Sequence, residues 1–257
     1  MSYKSKSLAW NGLVPALAIA LALIIVIAHG NEAVFLLFNG LGSYTGDLLW
    51  ANWTLFGDAL ALAALILPFV GRRPALVWSL VVTALIAGIV VSLLKQSLAM
   101  PRPPAVLAVD VIHLIGPAYK THSFPSGHTA AAFAYAGVLS LHFRRAWITA
   151  AALGIAIGVG ISRMAVGVHW PLDVAAGAAL GWLCAVAGVA VAARWRWGES
   201  LAGQRVTALL LMLAALVLLV YFKADSPLAA LLPKGIAVVG LLAALPGLGR
   251  LWRQQAG

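Results

Sequence analysis

Long apolar runs without a central charge recur along the whole chain, and they limit its fold more than any other feature. Each run approaches or exceeds the roughly 18–20 residues that an α-helix needs to cross about 30 Å of hydrocarbon. The chain is 63% hydrophobic and 9% charged, whereas soluble domains are about 45–50% apolar and 25% charged. The pattern therefore predicts an all-α fold, a polytopic membrane helical bundle.

Eight spans follow from reading the apolar runs against the charged breaks between them. The stretch 31–49 is shorter and contains Glu32 and Asp47, so we expect a loop with an interfacial helix there. The first run resembles a signal peptide or an anchor, and its length beyond the 7–15 residues of a signal core favours an uncleaved helix. The predicted spans are 8–28, 51–70, 75–94, 127–142, 146–163, 172–193, 206–222 and 228–248.

Basic residues are distributed unevenly between the two ends of these spans. A cytoplasmic N-terminus places eleven of the seventeen Lys and Arg residues in the cytoplasm. The positive-inside rule therefore predicts cytoplasmic N- and C-termini. In a bacterial inner (plasma) membrane the opposite ends of the helices would face the periplasm. Six basic residues are predicted on this outer face: Lys95, Arg102, Lys120, Arg163, Lys223 and Lys234.

The formal charge of +10 does not indicate nucleic-acid binding, because the basic residues form no patch or long tract. The single cysteine, Cys184, cannot form an intrachain disulfide.

Small residues at four-residue spacing, in the pairs Gly154/Gly158 and Gly177/Gly181, predict close helix packing in lipid. The oligomeric state is not indicated by the sequence, and the expected surroundings are the lipid bilayer.

Polar residues gather in three segments at helix ends predicted on the outer face: 95–103, 125–128 and 162–173. Taken singly, each residue has an ordinary explanation, such as a cation reaching the interface or a helix cap. Together, Lys95, Arg102 and Arg163 match the charge of a phosphate dianion and the charge that develops on its oxygens during phosphoryl transfer. The three segments therefore predict a phosphate site.

The same segments contain a nucleophile and a proton source. His169 and Asp173 are four residues apart around a helix start, so the carboxylate can accept a proton from one ring nitrogen and leave the other free to attack phosphorus. His128, on another helix, can protonate the departing oxygen. Gly127 lets backbone N–H groups approach the anion, and Ser126 can add a donor.

These spacings resemble the type 2 phosphatidic acid phosphatase family, whose motifs are K-x6-R-P, P-S-G-H and S-R-x5-H-x3-D. The resemblance implies a six-helix core and a phosphohistidine intermediate on His169, with Asp173 as orienting acid and His128 as acid and base. It also implies chemistry without a metal or another cofactor. The phosphate-holding residues would be Lys95, Arg102, Ser126, Gly127 and Arg163. The motif positions are Lys95, Arg102, Pro103, Pro125, Ser126, Gly127, His128, Ser162, Arg163, His169 and Asp173.

The resemblance covers roughly 75–193, so we expect residues 1–200 to form the core and 201–257 to add two transmembrane helices that the chemical step does not need. The loop 104–124 is expected to be a solvated loop, with a lid or a headgroup reader as the alternative.

The expected function is that of a membrane lipid (di)phosphate phosphatase, a metal-independent hydrolase, and undecaprenyl diphosphate is the favoured substrate. The alternatives are phosphatases for phosphatidylglycerol phosphate, phosphatidic acid or lipid A, and a lipid phosphotransferase. A non-catalytic membrane transporter belongs to a different class, and it usually places its polar groups near the midplane of the bilayer.

Overall fold

A computed structural model describes residues 3–253, and side chains from residue 12 onward. The regular structure in this part of the chain is entirely helical, with no strand, which confirms the all-α prediction. The α-helices are α1 (Tyr3–Ile27), α2 (Asn31–Asn39), α3 (Leu41–Thr45), α4 (Asp47–Trp53), α5 (Ala59–Ile66), α6 (Pro74–Leu98), α7 (Pro103–Val106), α8 (Gly127–Phe143), α9 (Ala146–Ala165), α10 (Pro171–Arg194), α11 (Leu201–Val220) and α12 (Leu231–Arg253).

Each of the eight predicted spans corresponds to a helix or a bent pair of helices. By length and apolar composition, 5 helices in the described residues could cross a membrane, and up to 7 could if each of two bent pairs forms one span. The remaining predicted span is α8, whose 17 residues fall just below the roughly 18 residues expected of a spanning helix. One bent pair joins α1 to the helices within 31–45 at an angle of 110°.

The predicted span 51–70 is not one continuous helix. A 65° bend separates the segment Asp47–Gly57 from Ala59–Phe69. Asp58 causes this break, because its backbone is extended and its carboxylate accepts hydrogen bonds from the N–H groups of Leu60 and Ala61. A carboxylate that caps a new helix start interrupts the preceding helix.

The helices α8 and α10 pack closely through the predicted glycine pair. A Cβ added to Gly177 would lie 2.7 Å from the carbonyl oxygen of Ser126, and one added to Gly181 would collide with the carbonyl oxygen of Ala130. These contacts confirm close packing at the pair, since no larger residue fits there. They also hold the N-terminal turn of α8 against the first turns of α10.

The other glycine pair does not join two helix backbones. Gly158 faces the indole ring of Trp53, which would clash with any added Cβ, and Gly154 faces open space. The prediction of close helix packing was therefore wrong for this pair. The spacing of small residues does not distinguish a helix partner from an aromatic side chain.

The last two long helices pack against each other and against α5. A Cβ added to Gly240 would lie 2.6 Å from the carbonyl oxygen of Ala64, and one added to Gly247 would collide with that of Val70. Leu211, Ala215 and other residues of α11 join the same buried apolar cluster. The pair α11–α12 therefore covers α5, and the segment that connects the pair lies beside the site described below.

Basic side chains are anchored at the other end of the bundle. The Arg73 guanidinium lies 5.0 Å from the centre of the Phe143 ring. The Arg205 Nε and Nη2 groups donate to the carbonyl oxygen of Leu251 at 3.2 and 3.0 Å. The fold thus has one end rich in arginine and one end that carries the three motifs, as the charge pattern predicts.

Candidate active site

The three motif segments come together at one end of the bundle and surround a cavity of about 300 Å³. The end of α6, the start of α8, and the link between α9 and α10 each contribute residues to its wall. Ser126 and Asp173 are buried behind this wall. The predicted site residues that line the cavity are Lys95, Arg102, Gly127, His128, Arg163 and His169.

His169 and Asp173 form a buried pair. The Nδ1 atom of His169 lies 3.1 Å from Oδ2 of Asp173, and each residue is 2% exposed. Asp173 follows Pro171 in the first turn of α10. Because a carboxylate accepts the Nδ1 proton, the Nε2 atom of His169 carries the lone pair, and His169 is one of the residues that line the cavity.

The ring of His169 is kept neutral by its surroundings. Burial, followed by the positive charges of Arg163, Arg102 and Lys95, holds the pKa of His169 well below its usual value. The Nη1 atom of Arg102 is 3.4 Å from Nε2 of His169. A neutral imidazole beside three cations is suited to attack an anionic phosphoryl group.

Asp173 is held by two further donors to the same oxygen. The backbone N–H of Trp170 donates to Oδ2 at 2.9 Å, and the hydroxyl of Ser123 donates at 2.5 Å. Ser123 is fully buried, and the sequence analysis did not identify it. Its position two residues before the P-S-G-H motif was the available signal.

The loop 104–124 positions two of the three motif cations. Lys95 donates from Nζ to the carbonyl oxygens of His122 and Ser123 at 2.6 and 3.3 Å. Arg102 donates from Nε to the carbonyl oxygen of Thr121 at 2.9 Å. Three residues of this loop line the cavity: Ile115, Pro117 and Tyr119. Most residues of the loop are exposed, as expected of a solvated loop, and the loop also forms part of the site.

Arg163 is the most deeply buried of the three motif cations. It is 4% exposed, and its Nη1 atom donates to the hydroxyl of Thr54 at 2.5 Å. Thr54 lies in the short turn between α4 and Asp58. Within the described residues the Nε atom of Arg163 is buried without a hydrogen-bond partner. An anion in the cavity would supply the missing acceptor.

The P-S-G-H motif forms the start of α8. Ser126 is its N-cap, and the serine oxygen accepts hydrogen bonds from the backbone N–H and the hydroxyl of Thr129 at 3.4 and 2.9 Å. Gly127 and His128 line the cavity, but Ser126 does not. The structure therefore places Ser126 as a cap behind the cavity rather than in its wall.

A segment that the sequence analysis did not assign to the site also lines the cavity. It runs from Phe222 to Ser226 and connects α11 to α12. The hydroxyl of Tyr119 donates to the carboxylate of Asp225 at 2.9 Å, and this hydrogen bond raises the pKa of Tyr119. The contact joins the loop 104–124 to the C-terminal helices.

An apolar groove adjoins the cavity. It has a volume of about 570 Å³ and shares Asp58, Lys95, Gly127 and His128 with the cavity. Side chains of α5, α6 and α8 form most of its wall, and nearly all of them are aliphatic or small. The charged cavity is therefore continuous with an apolar surface inside the membrane region of the bundle.

Comparison with known proteins gives a consistent picture. A model of the PAP2 superfamily matches residues 76–198. The bacitracin transport permease protein BcrC of Bacillus licheniformis is 48% identical over 66 residues, 25% of this chain and 31% of that protein. The lipid A 1-phosphatase of Rhizobium etli is 34% identical over 107 residues, 38% of this chain and 43% of that protein. The undecaprenyl-diphosphatase of Sulfolobus acidocaldarius is 36% identical over 103 residues, 40% of this chain and 48% of that protein.

The chain therefore spans less than half the length of these curated relatives. The crystal structure of Aquifex aeolicus LpxE is 32% identical to this chain, with a TM-score of 0.58, and the likeness covers 62% of this chain and 94% of that one. Since nearly the whole of that structure is matched at this identity, and the family model spans all three motif segments, the chain belongs to the PAP2 superfamily.

Proposed function

We propose that this chain is an integral-membrane lipid phosphatase that works through a phosphohistidine intermediate on His169. One observation carries the proposal: the Nδ1 atom of His169 is held by Asp173, while the residue lines a cavity with three cations. This arrangement combines a positioned nucleophile with positive charge where an anion would bind.

Binding of the phosphate group is assigned to the cations and to the start of α8. Lys95 and Arg102 are held by backbone carbonyls, so their charges are fixed before the substrate arrives. The free Nε atom of Arg163 would donate to a phosphate oxygen. Gly127 contributes an N-terminal helix position without a side chain, which favours a bound anion.

In the first chemical step the Nε2 atom of His169 attacks phosphorus, and a phosphorus–nitrogen bond replaces the bond to the leaving oxygen. His128 donates a proton to that oxygen, and the lipid product departs. Asp173 stabilises the positive charge on the phosphorylated imidazole. Fixed charges around the phosphoryl oxygens lower the barrier, because they need no reorganisation.

In the second step water attacks the phosphohistidine. His128, now neutral, takes a proton from this water as the phosphorus–nitrogen bond breaks. Inorganic phosphate leaves, and both histidines return to their starting states. A lipid hydroxyl in place of water would give a phosphotransferase, so the two activities differ only in the acceptor.

The apolar groove supports a lipid substrate over a soluble phosphate ester. A lipid whose headgroup occupies the cavity could lay part of its chain along α5, α6 and α8. The names of two relatives, one a lipid A phosphatase and one an undecaprenyl-diphosphatase, also favour lipid phosphates. We propose undecaprenyl diphosphate as the substrate and a site on the periplasmic face of a bacterial inner membrane, with both termini in the cytoplasm.

Phosphate release from a panel of lipids tests this function. The purified protein is incubated with undecaprenyl diphosphate, phosphatidylglycerol phosphate, phosphatidic acid and lipid A, with and without excess chelator. We expect release from at least one lipid, undiminished by chelator, and none from the His169→Ala variant. Release that chelator abolishes and divalent metal restores would contradict the mechanism, and wild-type activity in the variant would contradict the nucleophile.

The same assay separates the alternatives. Adding a second lipid with a free hydroxyl reveals a phosphotransferase, because the phosphate then appears on that lipid. A transporter would release no phosphate from any lipid of the panel. One relative is named a transport permease, but the polar groups of this site lie at helix ends rather than at the midplane.

A further inference from the structure

The segment 222–226 adds a fourth basic residue, Lys223, to the wall of the cavity. It lies beyond residues 76–198, which match the family model, and it reaches the cavity only because α11 and α12 pack against α5. Within it, Lys223 and Asp225 are the charged residues, and both line the cavity.

Lys223 differs from the three motif cations in its bonding. Lys95, Arg102 and Arg163 each donate hydrogen bonds to protein oxygens. In the described part of the chain, Lys223 is exposed and makes no side-chain hydrogen bond or ion pair. Its ammonium group therefore has no protein partner among the described residues, and Lys223 is one of the residues that line the cavity.

The acidic residues nearby form no ion pair with Lys223, because each accepts hydrogen bonds from other groups. Asp58 accepts hydrogen bonds from the N–H groups at the start of α5, and Asp225 accepts one from the hydroxyl of Tyr119. The segment and the turn that follows it are anchored at one further point each. Gly116 packs against the backbone of Asp225, and the side chain of Asn52 donates to the carbonyl oxygen of Leu228 at 3.1 Å.

We propose that Lys223 binds the second, non-transferred phosphate of a diphosphate headgroup and so favours diphosphates over monophosphates. This assignment rests on the proposed function, which gives the transferred phosphate to the three motif cations. A monophosphate bound there leaves Lys223 without a partner. A diphosphate carries further negative oxygens, and a charge-assisted hydrogen bond from a lysine would meet them.

The competing explanation is that Lys223 only anchors the end of α11 at the membrane interface. Lysines near helix ends commonly extend to the interface. An anchoring lysine would influence the two substrate classes equally, whereas a ligand for the second phosphate influences the diphosphate alone. The ratio of the two activities therefore separates the explanations.

Farnesyl diphosphate and farnesyl phosphate form a suitable pair, because they share the same lipid chain. The Lys223→Gln variant should lose about tenfold more kcat/KM on the diphosphate than on the monophosphate, as expected for one lost charge-assisted hydrogen bond. Lys223→Arg should keep the wild-type ratio. Lys234→Gln is the matched control, because this exposed lysine at the start of α12 is outside the cavity wall, and it should change neither activity.

A binding measurement makes this test independent of turnover. The dissociation constants of both farnesyl compounds are measured on the His169→Ala protein, with and without Lys223→Gln. The second substitution should weaken binding of the diphosphate about tenfold more than binding of the monophosphate. An unchanged ratio would overturn the role of Lys223, whatever the activity. A changed binding ratio, together with no hydrolysis of either compound by the protein that keeps His169, would overturn the proposed function and leave the role of Lys223 intact.

Discussion

The two histidines of the site have different surroundings, and this difference supports the separate roles proposed for them. The side chain of His169 is held by Asp173, and its backbone N–H donates a hydrogen bond to the carbonyl oxygen of Arg163. His128 lines both the cavity and the groove, and its side chain makes no hydrogen bond within the described residues. A ring without a fixed partner suits exchange of protons with a leaving group and then with water.

The His128→Ala variant should therefore slow phosphoryl transfer by about 10²–10⁴-fold, with the greatest loss for poor leaving groups. Rates are measured for a series of aryl phosphates that differ in the pKa of the phenol. The variant should show a steeper dependence on this pKa, because no acid assists the departing oxygen. His142→Ala, at the far end of α8, should keep the wild-type dependence. A uniform loss across the series would argue against His128 as the acid.

Ser123 is predicted to act through Asp173 as a positioning residue. The Ser123→Ala variant removes one of three hydrogen bonds to Oδ2 of Asp173, so kcat should fall by about 10-fold to 10²-fold while KM changes little. The matched control is Ser162→Ala. This serine is equally buried, but its hydroxyl donates to the carbonyl oxygen of Val159 in its own helix, and we expect a change within about twofold.

Steady-state kinetics on a soluble phosphate ester measure both serine variants. Equal losses in the two variants would contradict the positioning role. They would show that removing any buried serine hydroxyl near the site lowers activity. A rise in KM without a fall in kcat would instead place Ser123 in contact with the substrate.

At the scale of the helices, the site depends on how closely α8 approaches α10. Gly177 and Gly181 bring the α10 backbone against the carbonyl oxygens at the start of α8. The N-cap of α8 is also tied to α10, since the backbone N–H of Ser126 donates to the carbonyl oxygen of Asp173 at 3.0 Å. Displacing one helix would therefore move His128 relative to His169.

Gly181→Ala tests this dependence. The added methyl group collides with the carbonyl oxygen of Ala130, so the variant should lose about 1–3 kcal/mol of stability and most of its activity. Gly154→Ala is the control, because that glycine is also inside a helix but has no heavy atom within 4 Å of the added Cβ. Thermal unfolding in detergent and phosphate release are measured for both. Equal behaviour of the two variants would show that the close approach is not needed.

Helix patterns predicted the positions of most elements but not their breaks or partners. The apolar run 51–70 hid the break at Asp58, because a single acid inside such a run is weak evidence for a helix start. It is also hard to predict which helices pack against each other in a membrane, since both the lipid-facing side and the packed side of a helix are apolar. For this reason the sequence did not reveal that Gly158 meets Trp53.

For the whole molecule, the motifs predicted most of the residues that meet at the cavity, because these residues lie at helix ends predicted on one face. Ser123 was missed because its role depends on the path of the loop 104–124. The segment 222–226 was missed because its position depends on the packing of α11 and α12 against α5. The division into a core of residues 1–200 and two added helices stays a prediction, but the segment that connects the added helices is part of the cavity wall.

The distribution of arginine predicts the orientation of the bundle in the membrane. The arginine-rich end should lie in the cytoplasm, because basic loops are retained there. In a Cys184→Ala background, a cysteine at Val109 should react with a membrane-impermeant thiol reagent in intact cells, and one at Ala146 should not. Both positions are exposed in the structure, so accessibility differs only through the membrane. Permeabilised cells provide the control, in which both cysteines should react. Labelling of Ala146→Cys but not Val109→Cys in intact cells would place the site in the cytoplasm, and the proposed periplasmic lipid headgroup would then be out of reach.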